Sequence, residues 1–223
     1  MITNYSESLD LRGKGQGSGG LHIESSVWFD ITRDRRTVAM TEEVSPQDVA
    51  AYGPDGSSQL DVLEENGGTR SGVMRIRLSL VNFSKAPAVI NRLHARVLST
   101  FPTPTGSAFS CGGPEGGASQ SRVRLDLGDQ DKVAEEYDGK EIIGQYPVNE
   151  RQIAKQDEPA MFDIEVRAGR EAYTFVIDVD YSQGEETGHL VVDEGGRAYK
   201  LAPVNEKATR YQCDVGTSGW YKR

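Results

Sequence analysis

The chain has 223 residues, 36% of them hydrophobic and 26% charged, and carries a formal net charge of −9. That length bounds one large β domain or two small ones and is enough to bury a real core. The acidity works against binding a polyanion through net charge, which removes nucleic acid as a default partner; no apolar run of about 18 residues is present to span a membrane.

Residues 1–20 are rich in Gly and Ser and read as a flexible arm or linker, without the apolar core of a signal peptide. If the protein is exported, its leader or anchor is expected outside this chain. Gly13-Lys14-Gly15-Gln16-Gly17 lacks the preceding strand and following helix of a phosphate loop.

From 21 to 31, Leu21, Ile23, Ser25, Val27, Phe29 and Ile31 alternate with His22, Glu24, Ser26, Trp28 and Asp30. This period of two marks a half-buried strand. Trp28 alone breaks the polar side; an outward tryptophan covers a subunit or sugar contact, or is capped by the chain itself. Residues 35–41 predict a second strand with Val38 and Met40 inward.

Ser45-Pro46-Gln47-Asp48 predicts one short helix ending by Gly53-Pro54: serine caps, proline takes the first turn, and Asp48 complements the dipole. Residues 53–72 predict a loop, with a short strand around 60–63. Segment 73–82 sends Met74, Ile76, Leu78 and Leu80 inward; segment 89–98 sends Val89, Leu93, Ala95 and Val97. A Gly/Pro-rich loop over 102–120 holds Cys111. Val123, Leu125 and Leu127 point inward next, followed by a charged loop in which Asp126, Asp129 and Asp131 cluster. Residues 141–148 predict another strand.

Phe162, Ile164 and Val166 alternate with Asp163 and Glu165, and Ala168-Gly169-Arg170 turns into Tyr173, Phe175, Ile177, Val179 and Tyr181. Gln183-Gly184 reverses the chain into 188–192, and Glu194-Gly195-Gly196 returns it through 197–201. The pattern predicts an all-β antiparallel sandwich over 21–203, with a C-terminal tail over 204–223.

Cys111 and Cys213 both lie in polar, loop-like sequence, where free thiols are uncommon. With no CxxC and only His22, His94 and His189, a structural zinc site is not expected. A Cys111–Cys213 disulfide is expected, with two free thiols as the alternative. The bridge implies an oxidising, extracytoplasmic or secreted location. No histidine sits in a setting that would activate a serine or cysteine nucleophile. Nothing among 34 Asp and Glu residues selects a glycosidase pair, and no cofactor is expected.

The outward charges are segregated by strand. Arg75 and Arg77, then Arg92, His94 and Arg96, then Arg122 and Arg124 are basic, whereas Asp163, Glu165, Asp178 and Asp180 are acidic. A simple hairpin of 73–82 with 89–98 would set Arg75 against Arg96 and Arg77 against His94. Like charges directly opposite cost about 0.2–1 kcal/mol each, so the connection NFSKAPA is expected to cross between sheets. The arginines then either pair with acidic strands across the ladder or form a patch for an anionic ligand, acidic sugar or acidic protein surface. Arg75, Arg77, Arg92, His94, Arg96 and Trp28 are the candidate binding residues.

The run RIRLSLVNFSKAPAVINRLHARVL, strand, Asn-x-Ser-x-x-Pro bend and second strand, resembles immunoglobulin-like domains of bacterial surface proteins. With DIEVRAGREAYTFVIDVDY and LVVDEGGRAYKLAP it looks like the extracytoplasmic part of membrane-tethered actinobacterial proteins. The resemblance covers residues 73–203. It implies an immunoglobulin-like β-sandwich and carries over no activity and no functional residue. Three function classes follow. The first is a non-catalytic extracytoplasmic binding or interaction module with a protein or anionic glycan partner. The second is a structural or assembly subunit with Trp28 or an edge strand at its contact, and the third a hydrolase acting on polysaccharide. Oligomeric state is left open.

Overall fold

Met74, Ile76, Leu78 and Leu80 form the inward row of a ten-residue strand, and all four are buried. Each such side chain contributes about 1.5–3 kcal/mol when removed from water. The computed structural model describes residues 20–28, 35–112, 123–129, 132–137, 141–148, 151–156, 158–213 and 219–223, together with the backbone of 13–16. Elements run in the order β1 (Gly13–Gln16), β2 (Leu21–Val27), β3 (Arg35–Ala39), α1 (Pro46–Ala50), α2 (Gly56–Glu65), β4 (Thr69–Ser71), β5 (Val73–Asn82) and β6 (Ala88–Phe101). They continue with β7 (Ser107–Gly112), β8 (Val123–Asp126), β9 (Glu135–Tyr137), β10 (Ile142–Gln145), β11 (Ile153–Ala154) and β12 (Ala160–Arg167). The last are β13 (Ala172–Gln183), β14 (Glu186–Val192), β15 (Tyr199–Ala202), β16 (Thr209–Cys213) and β17 (Trp220–Lys222).

Two sheets result. One is seven-stranded, in the order β1-β2-β5-β12-β8-β9-β10; the other is ten-stranded, in the order β11-β6-β13-β15-β4-β3-β7-β16-β17, with β14 on β13. The main core lies between them, built from β2, β5, β8 and β12 on one side and β6, β13, β14 and β15 on the other. The all-β expectation holds, but the purely antiparallel one is corrected. β12 pairs β8, β15 pairs β4 and β16 pairs β7 in parallel. These partners are far apart in sequence or joined by crossovers, and only such connections allow parallel pairing.

β5 and β6 lie in different sheets, as expected from the like charges on their outer faces. Asn82, 2% exposed, fastens the crossover. Its Nδ2 donates to the Ala86 carbonyl at 2.8 Å and the Ala154 carbonyl at 2.9 Å. Its Oδ1 accepts from Ser84 N at 2.9 Å and Gln183 Nε2 at 3.0 Å. Within β6 the expected inward set changes at one end. The ladder with β13 shifts register between Asp180 and Tyr181, leaving Asn91 as an extra residue. Such a bulge flips the alternation. Ile90 and Ala88 are therefore buried in place of Val89.

Ser45 caps α1 and accepts from Asp48 N at 3.2 Å. The 53–72 loop is corrected: residues 60–63 belong to α2, capped by Asp55 accepting from Ser58 N at 2.9 Å. Leu60 and Leu63 meet Val38, Phe109 and the disulfide Cys111–Cys213 in a second core beside the main one. Gln59 donates to the Gly53 carbonyl at 2.7 Å and accepts from Trp220 Nε1 at 2.5 Å. Arg36 and Arg70 grip Glu64 on this helix at 2.8 Å each, and Arg70 also holds Glu194 at 2.7 Å. Burial alone would lower the Arg70 guanidinium; Glu64 and Glu194 together hold it above its ordinary value. Segment 204–223 is more than a tail, since β16 and β17 extend the ten-stranded sheet. Of the N-terminal arm, residues 13–16 pair with β2, and 1–12 and 17–19 lie outside the described residues.

Candidate interaction faces

The six candidate binding residues divide between two outer faces. Trp28, Arg75 and Arg77 lie on the seven-stranded sheet; Arg92, His94 and Arg96 lie on the ten-stranded one.

On the seven-stranded sheet the acidic strand β12 sits between the basic strands β5 and β8. Arg75, Glu165, Arg124 and Glu135 stand in register across four strands, alternating in sign. Glu165 is 5% exposed and accepts from Arg167 Nε at 2.8 Å. Arg77 Nε donates to Asp163 Oδ1 at 2.9 Å. Its guanidinium carbon lies 4.8 Å from the Trp28 ring centre, with that of Arg75 at 5.6 Å. Arg124 lies 4.2 Å over Tyr137. Arg75, Arg77 and Arg124 each have an acidic residue opposite and an aromatic ring beside them.

The ten-stranded face is organised around Asp178 on β13, whose side chain is 2% exposed. Arg96 grips it with both arms of its fork, Nε to Oδ2 at 2.7 Å and Nη2 to Oδ1 at 3.1 Å. That hydrogen bond, then the carboxylate charge, holds the Arg96 guanidinium above its ordinary value. His94 Nε2 lies 3.4 Å from Oδ2, and His189 Nε2 lies 3.3 Å from Oδ1. The other His189 nitrogen, Nδ1, lies 2.8 Å from Asp180 Oδ1. Arg92 stands in register with Asp180 and is exposed; no carboxylate among the described residues is within ion-pair distance of it. His94 Nδ1 is buried with no hydrogen-bond partner among the described residues, and Nε2 is the nitrogen that faces Asp178.

Hairpin geometry delivers His189 to this place. Gly184, at φ +62°, occupies the first position of the two-residue turn between β13 and β14, where a left-handed conformation is needed. The turn pairs Gln183 with Glu186 and therefore Asp180 with His189. Sequence reasoning placed Asp178 and Asp180 outward but left His189 out of the candidate set. The turn at Gln183-Gly184 was the signal that could have found it, because counting back from a two-residue loop fixes every opposite pair.

Two other features are less ordered. An open depression of about 420 Å³ is lined by Glu206, Ala208, Thr209, Arg210, Lys222 and Arg223. On β10, the terminal strand of the seven-stranded sheet, Ile142 and Ile143 are 47% and 50% exposed. Among the described residues no His, Cys, Asp and Glu side chains form a group able to hold a metal ion, and no helix is long and apolar enough to cross a membrane. Asp126 serves its own turn, accepting from Gly128 N at 2.8 Å, and Asp131 lies outside the described residues.

No protein-family model matches the chain, and no curated protein matches it in sequence.

Proposed function

We propose that the chain is a non-catalytic extracytoplasmic interaction module that takes an anionic polysaccharide on the outer face of its ten-stranded sheet. The observation that carries this reading is the cluster of two arginines and two histidines around Asp178 and Asp180. His94, Arg96 and His189 converge on the two acids, and Arg92, in register with Asp180, has no ion-pair partner among the described residues. Arginine suits carboxylate and sulfate groups because its planar fork donates two parallel hydrogen bonds. Arg92 and Arg96 stand roughly 13 Å apart along one strand, at about 3.3 Å per residue. A flat surface with cations so spaced matches an extended, repeating anion better than a small enclosed molecule. The buried disulfide favours an oxidising compartment. The crossing of the chain between sheets from β5 to β6 agrees with an immunoglobulin-like sandwich.

The test is retention on immobilised dextran sulfate at low salt. Arg92→Gln is expected to lose retention with an unchanged melting midpoint, while Arg170→Gln, in an exposed turn, retains it. Retention unaffected by Arg92→Gln would remove this face from consideration.

A second reading, an assembly subunit, is favoured by Ile142 and Ile143 on an edge strand, where an exposed apolar row is a template for further pairing. Light scattering after size exclusion separates the two: a concentration-dependent dimer abolished by Ile143→Lys supports assembly, and a monomer throughout rejects it.

A further inference from the structure

We propose that His189 is a proton sensor that converts the Asp178 face from a locally neutral surface into an anion-binding one in mildly acidic conditions; this rests on the anionic-ligand reading of that face. Both ring nitrogens of His189 point at carboxylates, Nε2 at Asp178 Oδ1 and Nδ1 at Asp180 Oδ1. A neutral imidazole has one N–H, so it satisfies one carboxylate and turns a lone pair on the other; the imidazolium donates to both. Histidine is the side chain whose charge ordinarily changes between about pH 5 and 8.

Protonation has a defined consequence at Asp178. Oδ1 is shared by His189 Nε2 and Arg96 Nη2, and Oδ2 by His94 Nε2 and Arg96 Nε. A charged His189 donates to Oδ1 beside Arg96 and takes up part of the Asp178 charge that Arg96 otherwise meets. Arg96 is half exposed, and His189 is held on both sides. The groups facing the cluster from the described elements are Arg92, His94 and Arg96 on β6, Asp178 and Asp180 on β13, and His189 on β14, with Lys132 donating to the Asp129 carbonyl beside β6. With neutral imidazoles the six side chains on the three strands sum to no net charge; protonation makes the sum positive. The remaining histidine, His22, is on the other sheet. An extended polyanion then meets the half-exposed Arg96, Arg92 with no ion-pair partner among the described residues, and the rim of His189. Carboxylate and sulfate groups share the chemistry required.

The experiment is binding of polygalacturonate and of dextran sulfate, in separate arms, to the whole chain at about pH 5 and about pH 8. Wild type is expected to bind one or both about tenfold tighter at the lower pH, a difference of about 1.4 kcal/mol. His189→Gln, at a half-exposed position, is expected to bind equally at both pH values, and His22→Gln to keep the full response. The proposal is overturned if His189→Gln retains the response or if wild type binds equally well at both pH values; in the latter case the anion site stands without its gate. Binding at neither pH overturns the gate and the underlying reading together. Preference for poly-glutamate over both glycans overturns the choice of ligand.

Discussion

Gly56 sits directly on Cys111: a Cβ built on this glycine would come within 2.6 Å of the Cys111 sulfur and 2.9 Å of Cys213 Cβ. The first turn of α2 therefore rests on the disulfide, and the helix owes its position to that contact as much as to its own propensity. Gly56→Ala is expected to cost about 1–3 kcal/mol through overpacking, read as a lower chemical-denaturation midpoint.

Reducing the bridge releases a constraint across 102 residues. In the chain-entropy model it is worth about 4–5 kcal/mol. A reduced chain with the denaturation midpoint of the oxidised one would show that the second core stands without its staple.

Asn82→Ala is expected to destabilise by about 2–4 kcal/mol, because the Ala154 carbonyl and the Ser84 N–H lose their Asn82 partner together and the Ala86 carbonyl keeps only Gln183 Nε2. Asn82→Asp keeps the acceptor but turns oxygen towards both carbonyls, and is expected to be worse. Urea denaturation of the two variants checks the order; equal stability would mean the crossover is held by other contacts.

Burial pushes the phenols of Tyr199 and Tyr146 above their ordinary range. Groups raised in the folded state contribute stability that is intact below the unfolded value, about 10 for tyrosine, and lost as pH rises beyond it. Thermal midpoints are expected to fall above about pH 10. In Tyr199→Phe that fall is expected to be shallower. The variant also loses about 1–2 kcal/mol at neutral pH, where the hydroxyl lies 2.9 Å from the Asp193 carbonyl and 3.1 Å from Ser25 Oγ. An alkaline slope identical to wild type would contradict the role of Tyr199.

Much of this architecture is legible in the sequence where side chains alternate strictly. Met74 to Leu80 and Phe162 to Val166 face the core as their spacing requires. Ser25, polar within an inward row, is met there by Tyr199. The charge segregation is also legible: β12 lies between basic strands, and β13 lies beside β6. Bulges are not, because the extra residue at Asn91 leaves no compositional mark. Helix α2 is not, because GSSQLDVLEE has weak propensity at its start and is fixed by Cys111, Cys213 and Trp220 from distant sequence. The division of the candidate arginines between two faces follows from the crossover, yet which acids would meet them depended on sheet order.

Three surfaces compete for the binding role: the Asp178 face, the Trp28–Arg77 face, and the depression at Arg210 and Lys222. Amide chemical-shift mapping during titration with polygalacturonate at about pH 5 decides among them. The account predicts shifts clustered on β6, β13 and β14 around Arg92, Asp178 and His189. Shifts confined to Trp28 and Arg77, or to Arg210 and Lys222, would contradict it.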